Sequence, residues 1–528
     1  MSNIVILRSR KFFFYLFFLC LTIFVNYGSF TSKFGPIDDH ELATFLKNGG
    51  RLSLKDIPIN LFRNTELGNL GKGERFRWLY WTQRLVELSI FGDNAGLMYA
   101  VRTLIVATSA IVLFLVVLEL QSNDEVGENN RARLHHLTAL LLPTCAGIWF
   151  LCLPSSVNGL ARIGTQEPAL SLGVLLVVLG AVRLFKRHSL RCELSHVIVA
   201  LGSIIATGFK ENGLVVVPVL LICFLYPFAN RSRLTHCFYY SALVSIGLLS
   251  YHNFRVFLRG SDVYGSDRGV FSIVESVLLE IKSPQFTLAI VCFLLIVTIF
   301  FNDPSNYRFQ TIVGLMLFMG LVMLSEAIFY GQGSPVIRYH ALSDLALIMI
   351  VVVAFQSIIL TICSTHKRNS FSFFAAHLIT VCCLFVYLNP IQLFSQVREA
   401  SYSLSLSTRS YQNGIDEIAK ELNSKPNSSF VVYLFDTAAD VEPAVAMIRY
   451  LRMKEVKNEF YLTVREIDLF PSDLLNSYSQ ISVEGSAQLT ISKWSYLVRS
   501  KTDLCYSPNY GLFNPSVPES TEVKAYCS

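Results

Sequence analysis

Long apolar runs constrain this chain more than any other feature, because most are close to the ~20 residues that an α-helix needs to cross a bilayer. Only 16% of the residues are charged, against roughly 25% in an ordinary soluble domain. The pattern therefore predicts a mainly α, polytopic membrane protein. About eleven spans are expected, over residues 12–30, 97–119, 135–153, 168–185, 194–208, 213–229, 235–252, 285–301, 309–330, 341–362 and 371–389.

The connections between these runs alternate in charge, which predicts the orientation of the chain. Lys and Arg collect in one set of connections, beginning with Arg8, Arg10 and Lys11, and the positive-inside rule places that set in the cytoplasm. The first outer loop, 31–96, is also basic, but a loop that long translocates largely regardless of its charge. We therefore expect a cytoplasmic N-terminus and, with an odd number of spans, an extracytoplasmic C-terminal tail.

The chain changes character after the last apolar run. Residues 1–390 are predicted to form the membrane domain, and residues 391–528 an outer soluble domain. Helical spacing over 408–423 and 441–451, with the short apolar run 429–435 between them, is typical of alternating helices and a buried strand. The tail is therefore predicted to be a small α/β domain.

Cysteines and charge bear on the compartment and on the partners. Among the twelve cysteines, only Cys505 and Cys527 lie in the tail; they would pair as a disulfide in an oxidising outer compartment, and the alternative is two unrelated thiols. The net charge of +6 is modest and no basic run is dense, so no nucleic-acid partner is expected. The sequence also has no Walker loop or nucleotide-binding glycine motif, which argues against the use of ATP.

An acidic cluster, Asp38-Asp39-His40-Glu41, follows the first apolar run closely. Acidic side chains are costly to keep near hydrocarbon, so contiguous ionisable groups at this position indicate a reaction or an ion rather than plain surface charge. One of the carboxylates of Asp38, Asp39 and Glu41 would act as a general base. Asp38 or Asp39 would be the ligand of a divalent cation, Mg²⁺ or Mn²⁺, if one takes part.

Two further motifs lie at the same predicted face. Lys210-Glu211 is a charged pair in the turn between two closely spaced apolar runs. The lysine would face a lipid phosphate as a point charge, unless it only snorkels and pairs with its neighbour. Arg162 and Glu167 lie at the end of a short outer loop, just before the next span. Glu167 suits the N-terminus of a helix, and Arg162 would contact a phosphate.

A late motif, Arg338-Tyr339, stands near the outer end of another span. A guanidinium suits bidentate contact with phosphate oxygens, although an interfacial Arg-Tyr pair is also ordinary membrane anchoring. Three histidines, His40, His252 and His340, lie on this face, but no ligand spacing among them supports a metal site. The candidate substrate-binding residues are His40, Arg162, Glu167, Lys210, Glu211, Arg338 and Tyr339.

Together these motifs resemble the GT-C superfamily of membrane glycosyltransferases, which includes protein O-mannosyltransferases, aminoarabinose transferases of lipid A and transferases that decorate O-antigen. The resemblance rests on the acidic motif 38–41, on the turn 210–213 that opens a span, and on Arg338-Tyr339 in a late outer loop. The layout of ten-odd spans before an outer domain is also similar. The chain departs from the family where many members have Asp-Glu or Asp-x-Asp, which leaves metal dependence open.

The resemblance implies transfer of a monosaccharide from a polyprenyl-phosphate-linked donor to a glycan, lipid or protein acceptor at the outer membrane face. It implies a role as base or acceptor-orienting group for Asp38 or Asp39. It assigns the donor phosphate to Lys210 and Arg338, with Arg162 as a further candidate. The short loops suggest the inner membrane of a Gram-negative bacterium, with the tail in the periplasm and a role in the cell envelope.

Two other functions stay open from the sequence. An O-antigen polymerase or ligase also joins lipid-linked glycans at the outer face, but typically uses a large Arg-rich late loop and lacks an acidic cluster in the first loop. A transporter or flippase would place charges in mid-span and show repeated halves. Here the ionisable residues lie at the outer ends of the spans, and the sequence shows no internal repeat.

Overall fold

A computed structural model of the chain is mainly helical. The residues that it describes are 2–36, 39–46, 50–65, 67, 75–121, 132–160, 162–186, 192–225, 232–258, 270–300, 307–330, 340–365, 390–424, 426, 430–434, 446–458, 460–464 and 482–483. The predicted features outside these residues are the span 371–389, Asp38, Arg338, Tyr339, Cys505 and Cys527.

Helical segments lie where the apolar runs predict them. In chain order the α-helices are α1 (Ser2–Asn26), α2 (Asp39–Ala43), α3 (Ile57–Arg63), α4 (Trp78–Phe91), α5 (Ala95–Gln121), α6 (Ala132–Cys152), α7 (Pro154–Leu160), α8 (Glu167–Lys186), α9 (Cys192–Phe209), α10 (Val217–Leu225), α11 (Arg233–Leu258), α12 (Val270–Ile281), α13 (Pro284–Phe300), α14 (Tyr307–Tyr330), α15 (Ala341–Thr365), α16 (Pro390–Ser424) and α17 (446–453). Short 3₁₀ segments cover Tyr27–Thr31, Leu54–Asp56 and Glu211–Val216. Each of the first ten apolar runs overlaps a helical segment, which confirms a mainly α protein.

Five of the described helices are long and apolar enough to cross a membrane, and the chain is an integral membrane protein on that basis. Their apolar stretches are Phe12–Thr31, Ala95–Gln121, Glu167–Phe185, Arg308–Phe329 and Ala341–Ile358. A sixth span is present if α12 and α13 count as one, although the two are bent by 61°. The number of eleven spans and the orientation stay predictions.

Helices α8 and α9 pack closely because glycines face each other between them. A Cβ on Gly202 would stand 2.6 Å from the carbonyl oxygen of Gly173, and one on Gly173 would stand 2.6 Å from the backbone nitrogen of Ala206. Small residues at such contacts let two membrane helices approach to backbone distance. Helix α8 also packs against α5, so α8 lies between two neighbours, and its first turn is held at one end of the bundle.

A second apolar core lies at one end of the bundle and joins the first loop to the tail. Phe34 and Leu42 of the loop pack in the same cluster as Tyr411, Ile415 and Leu451 of the tail. Three short parallel strands, β1 (Phe430–Leu434), β2 (Phe460–Val464) and β3 (Ser482–Val483), follow in the order β1-β2-β3. A separate α/β domain and a boundary at residue 390 stay predictions, and the two sides of that boundary share this core.

Helix α16 runs beside the segment that leads from α1 to the acidic motif. The backbone N–H of Ser29 donates to Ser401 Oγ at 2.8 Å, and the Thr31 and Ser405 hydroxyls are 2.8 Å apart. Farther along, the side chain of Gln412 donates to the carbonyl of Phe34 at 2.9 Å. The tail therefore positions the start of the first loop.

Candidate functional site

The Asp39 side chain is almost fully buried and binds backbone groups from two segments of the chain. Its Oδ1 accepts hydrogen bonds from the backbone N–H groups of Ile163 (2.8 Å) and Gly164 (3.1 Å). Its Oδ2 accepts from the N–H of Gly35 at 2.9 Å and lies 3.4 Å from the Tyr99 hydroxyl. A carboxylate with several N–H donors is well compensated for its burial. Asp39 therefore ties the first loop to the loop that precedes α8.

Arg102, on α5, holds the same loop from the membrane side. Its guanidinium donates to the carbonyls of Ile163 at 2.6 Å, Thr165 at 2.8 Å and Gly159 at 2.5 Å, and it also bonds the Thr165 hydroxyl. The side chain is 1% exposed. Because an arginine offers five donors in a rigid fork, one residue can bind several turns of backbone and fix the shape of the loop.

Lys210 and Glu167 form a buried ion pair next to the loop 162–166. The Nζ of Lys210 donates to Oε1 of Glu167 at 2.5 Å, and the side chains are 1% and 3% exposed. Glu167 is the first residue of α8, while Lys210 follows the last residue of α9. The chain turns back sharply here, because a Cβ on Gly213 would stand 2.2 Å from the carbonyl of Ala206. This tight turn places Lys210 against α8.

The adjacent Glu211 is also buried, and it binds the segment before α4. Oε1 of Glu211 lies 3.2 Å from Nε of Arg75. The predicted pair Lys210-Glu211 therefore points in two directions, since the lysine binds Glu167 and the glutamate binds Arg75. Snorkelling of Lys210 to an exposed interface, the alternative interpretation of this motif, is wrong because the side chain is buried.

His40 and its surroundings join the site to the tail. His40 is buried, and its Nδ1 lies 2.8 Å from Arg449 of α17. The neighbouring Tyr450 donates its hydroxyl hydrogen to the carbonyl of Gly35 at 2.8 Å. Burial, and then the negative charge of Asp39, hold the pKa of Tyr450 well above its ordinary value, so this hydroxyl stays a donor at any physiological pH.

A cluster of acidic groups lies on the neighbouring helices α12, α14 and α15. Oε1 of Glu280 is 3.7 Å from Nδ1 of His340, and these two side chains form a compact group with Glu326. The Asp344 carboxylate accepts a hydrogen bond from Ser155 at 2.5 Å. Burial lowers the pKa of His340, so its ring is neutral at pH 7 and its contact with Glu280 is not an ion pair.

The Glu167–Lys210 pair and the acidic cluster on α12, α14 and α15 interact electrostatically. Glu326 interacts electrostatically with Lys210 and Glu167 and also with Glu280 and Asp344. The acidic motif, the loop 162–166 and the Lys210 turn thus meet at one end of the bundle, and the residue after Arg338-Tyr339 lies at the same end. Motifs that are far apart in the sequence form one connected set of polar groups.

The remaining predicted residues are placed as follows. Glu41 is exposed on α2, and Arg162 is half-buried beside the Asp39 contact. Asp38, Arg338 and Tyr339 lie outside the described residues.

Several residues of this network were not predicted from the sequence, although three of them had a signal. Arg102, Glu326 and Asp344 are ionisable residues within apolar runs, and such residues are rare and usually functional. Glu280 had no comparable signal, because it lies in a connection that carries other charges. The spacing of His40, His252 and His340 indicated no metal site. In the structure, His340 lies in a compact group with Glu280 and Glu326.

Comparison with protein-family models and with curated proteins finds no match for this chain.

Proposed function

We propose that this protein is a membrane glycosyltransferase that moves a monosaccharide from a polyprenyl-phosphate-linked donor to a glycan, lipid or protein acceptor. The reaction would take place at the end of the bundle that carries Asp39, Lys210 and His340. By the charge of the connecting loops this end faces the extracytoplasmic side, in the periplasm if the host is a Gram-negative bacterium.

One observation carries the proposal. Three motifs chosen separately from the sequence are linked in the structure through Asp39, the loop 162–166 and the Glu167–Lys210 pair. A chain that uses such residues only for anchoring would leave each at its own interface. Their convergence supports one shared site where a carboxylate and a cation lie on neighbouring segments.

The chemistry suits a lipid-linked donor. The polyprenyl chain would stay in the bilayer while the phosphate lies at its surface, near the basic groups. Lys210 and Arg162, with Arg338, would stabilise the charge that develops on the leaving phosphate. A carboxylate on the opposite side would accept the proton of the attacking hydroxyl. Direct displacement of the phosphate then inverts the configuration at the anomeric carbon.

The hydrogen bonds of Asp39 indicate different roles for the acidic residues of the motif. Both oxygens of Asp39 already accept hydrogen bonds from backbone N–H groups, so its lone pairs are committed to holding two loops. We therefore assign a positioning role to Asp39 and the role of base to Asp38, with Glu41 as the next candidate. Glu41 is exposed and on the same short segment.

The test is sugar transfer by the full chain in membranes, with a panel of polyprenyl-phosphate sugars and with Asp38→Asn, Asp39→Asn and Glu41→Gln. Loss of a general base slows turnover by about 10²–10⁴-fold. We expect that loss in Asp38→Asn at an unchanged melting temperature, whereas Asp39→Asn should lower both activity and stability. Release of polyprenyl phosphate is the readout.

The matched control is Asp416→Asn, because Asp416 is an exposed acid on α16 paired only at the surface with Lys454 (2.7 Å). It should leave turnover and melting temperature as in the wild type. If the wild type consumes no donor of the panel, the transferase proposal is wrong. If Asp38→Asn turns over as fast as the wild type, the base has been misassigned.

Transport of a lipid-linked glycan is a second candidate, and the acidic residues within the apolar helices favour it. Glu326 and Asp344 are buried in α14 and α15, and intramembrane acids often mark ion pathways. A flippase would move the donor between the leaflets of a liposome without cleaving it. Intact sugar-lipid in the opposite leaflet would therefore favour transport, and free polyprenyl phosphate would favour transfer.

A further inference from the structure

Glu280, Glu326 and His340 come from three different segments and present one ligand atom each to a common point. Their nearest donor atoms all lie within 4.8 Å of one another. Around a tetrahedral zinc ion with bonds of about 2.0–2.1 Å, ligand atoms are about 3.3 Å apart. The Glu280–His340 distance of 3.7 Å is already close to that value, and small rotations of the side chains would bring in the third ligand.

Glu326 has no partner that accounts for its burial. Its side chain is 1% exposed, and neither of its oxygens has a hydrogen-bond partner among the residues that the structure describes. Glu280 belongs to the same cluster, and its Oε1 is also buried without a hydrogen-bond partner among the described residues. Burying an ionised carboxylate without a counter-charge costs several kcal/mol in order-of-magnitude terms, so these side chains are neutralised either by protons or by a bound cation.

The charged residues around Glu326 also favour the binding of a cation. The negative charges of Glu280, Asp344 and Glu167 all repel a negative charge on Glu326. Lys210 is the cation that acts on Glu326, but its ammonium donates to Glu167 at 2.5 Å. Within the described residues, no lysine or arginine forms an ion pair with Glu280 or Glu326. Without a bound cation, these acidic groups must therefore be neutralised by protons.

We propose that these three residues bind a divalent transition-metal ion, with Zn²⁺ the best match. Imidazole nitrogen is a preferred ligand of zinc and is uncommon for Mg²⁺ and Ca²⁺, which prefer oxygen. One neutral imidazole and two carboxylates also carry two negative charges, which balance the charge of a divalent ion. Three protein ligands leave a fourth position of the tetrahedron for water or for an oxygen of a bound phosphate.

This site differs from the one considered at the acidic motif, where Asp38 or Asp39 was the expected ligand. Asp39 is bound by backbone N–H groups, which a metal would have to displace. The proposal does not rest on the transferase function, because the ion is held by protein side chains alone.

The experiment is metal binding by the full chain, purified in detergent and stripped with a chelator. Zinc chloride is added, free metal is removed by gel filtration, and bound zinc is counted per chain. We expect one zinc in the wild type. Glu326→Gln and His340→Asn should each lower the affinity at least about 100-fold, since even outer partners of a metal site are worth 10–100-fold. No sugar donor is present, so a failed transfer assay does not affect this result.

Glu326→Gln separates a missing ligand from a misfolded protein. The amide keeps the shape of the side chain and removes a buried charge, so the metal-free variant should melt no lower than the metal-free wild type. Zinc should raise the melting temperature of the wild type and leave that of Glu326→Gln unchanged. Glu119→Gln, a buried acid at the far end of α5, is the control and should bind zinc like the wild type.

Two results would overturn the proposal. A wild type that retains no zinc means that the cluster is kept neutral by protons instead. Equal zinc in the wild type and in Glu326→Gln means that the metal binds elsewhere, for example at exposed histidines. A preference for Mn²⁺ over Zn²⁺ in the same three-residue site would correct the identity of the ion and keep the ligands.

Discussion

Helix α8 carries one ion pair near each end, and the two pairs differ in almost every respect. Near its start, Glu167 binds Lys210 at 2.5 Å with both side chains at most 3% exposed. Near its end, Arg183 binds Glu119 at 3.0 Å with the side chains 26% and 11% exposed. The first pair belongs to a network with Asp39 and Glu326, and the second lies at the edge of the bundle.

The difference bears on function because burial changes what an ion pair costs. A partly exposed pair keeps much of its hydration and is worth about 0–1 kcal/mol. A buried pair loses hydration on both sides, and apolar residues of similar volume often serve stability equally well. A fully buried pair that joins several polar segments is therefore better explained by what it positions than by the stability it adds.

Removing the cation of each pair tests this difference most directly. Lys210→Met leaves Glu167 buried without its charge partner and should lower the free energy of unfolding by about 3–5 kcal/mol. Arg183→Met should lower it by about 1 kcal/mol or less. Denaturant unfolding in one detergent measures both.

A double variant tests whether the loss comes from the stranded charge. Lys210→Met with Glu167→Gln removes both charges, so it should recover more than half of what Lys210→Met loses. Equal losses at the two ends of α8 would mean that burial does not distinguish the two ion pairs.

Asp39→Asn is a smaller change at the same end of the molecule. The amide must turn its NH₂ group either toward the N–H groups of Ile163 and Gly164 or toward that of Gly35, so at least one donor loses its acceptor. A buried donor left without a partner costs about 1–3 kcal/mol. Unfolding should shift by that amount, whereas Glu119→Gln at the other end should shift less. An Asp39→Asn variant as stable as the wild type would mean that these hydrogen bonds do not hold the loops.

Tyr450→Phe has the smallest expected effect, and its sign depends on pH. Losing the hydrogen bond to Gly35 should cost about 1 kcal/mol at pH 8. The pKa of Tyr450 is raised in the folded protein, so above pH 10 the unfolded chain loses this proton first and wild-type stability falls. Between pH 8 and pH 11 the melting temperature of Tyr450→Phe should fall less than that of the wild type. The exposed Tyr402→Phe should behave like the wild type, and equal slopes for all three would refute the assignment.

The sequence predicted the helices well because their cause is local. A run of apolar residues at bilayer length folds as a helix whatever its neighbours are, and the segments observed over the first ten runs agree with that expectation. The same reasoning placed Asp39, Glu167 and Lys210 at the ends of apolar runs, and so toward a common face.

The contacts between those residues could not be read from the sequence. Asp39 binds the backbone N–H groups of residues 163 and 164. Every residue except proline has such a group, so residue types do not reveal this contact. Glu280 and His340 meet only because α12 is bent against α13 and packs near α14. The packing of Leu451 against Leu42 likewise depends on how the whole chain closes.

The apolar core shared by the first loop and the tail also sets when the site can form in a growing chain. Phe34 and Leu42 leave the ribosome early, whereas their partners Tyr411 and Leu451 are made only after α15 has entered the membrane. Until then the carbonyl of Gly35 lacks the hydroxyl of Tyr450, and the apolar side chains of the first loop lack their partners from the tail. The contacts between the first loop and the tail are thus among the last that the growing chain can make.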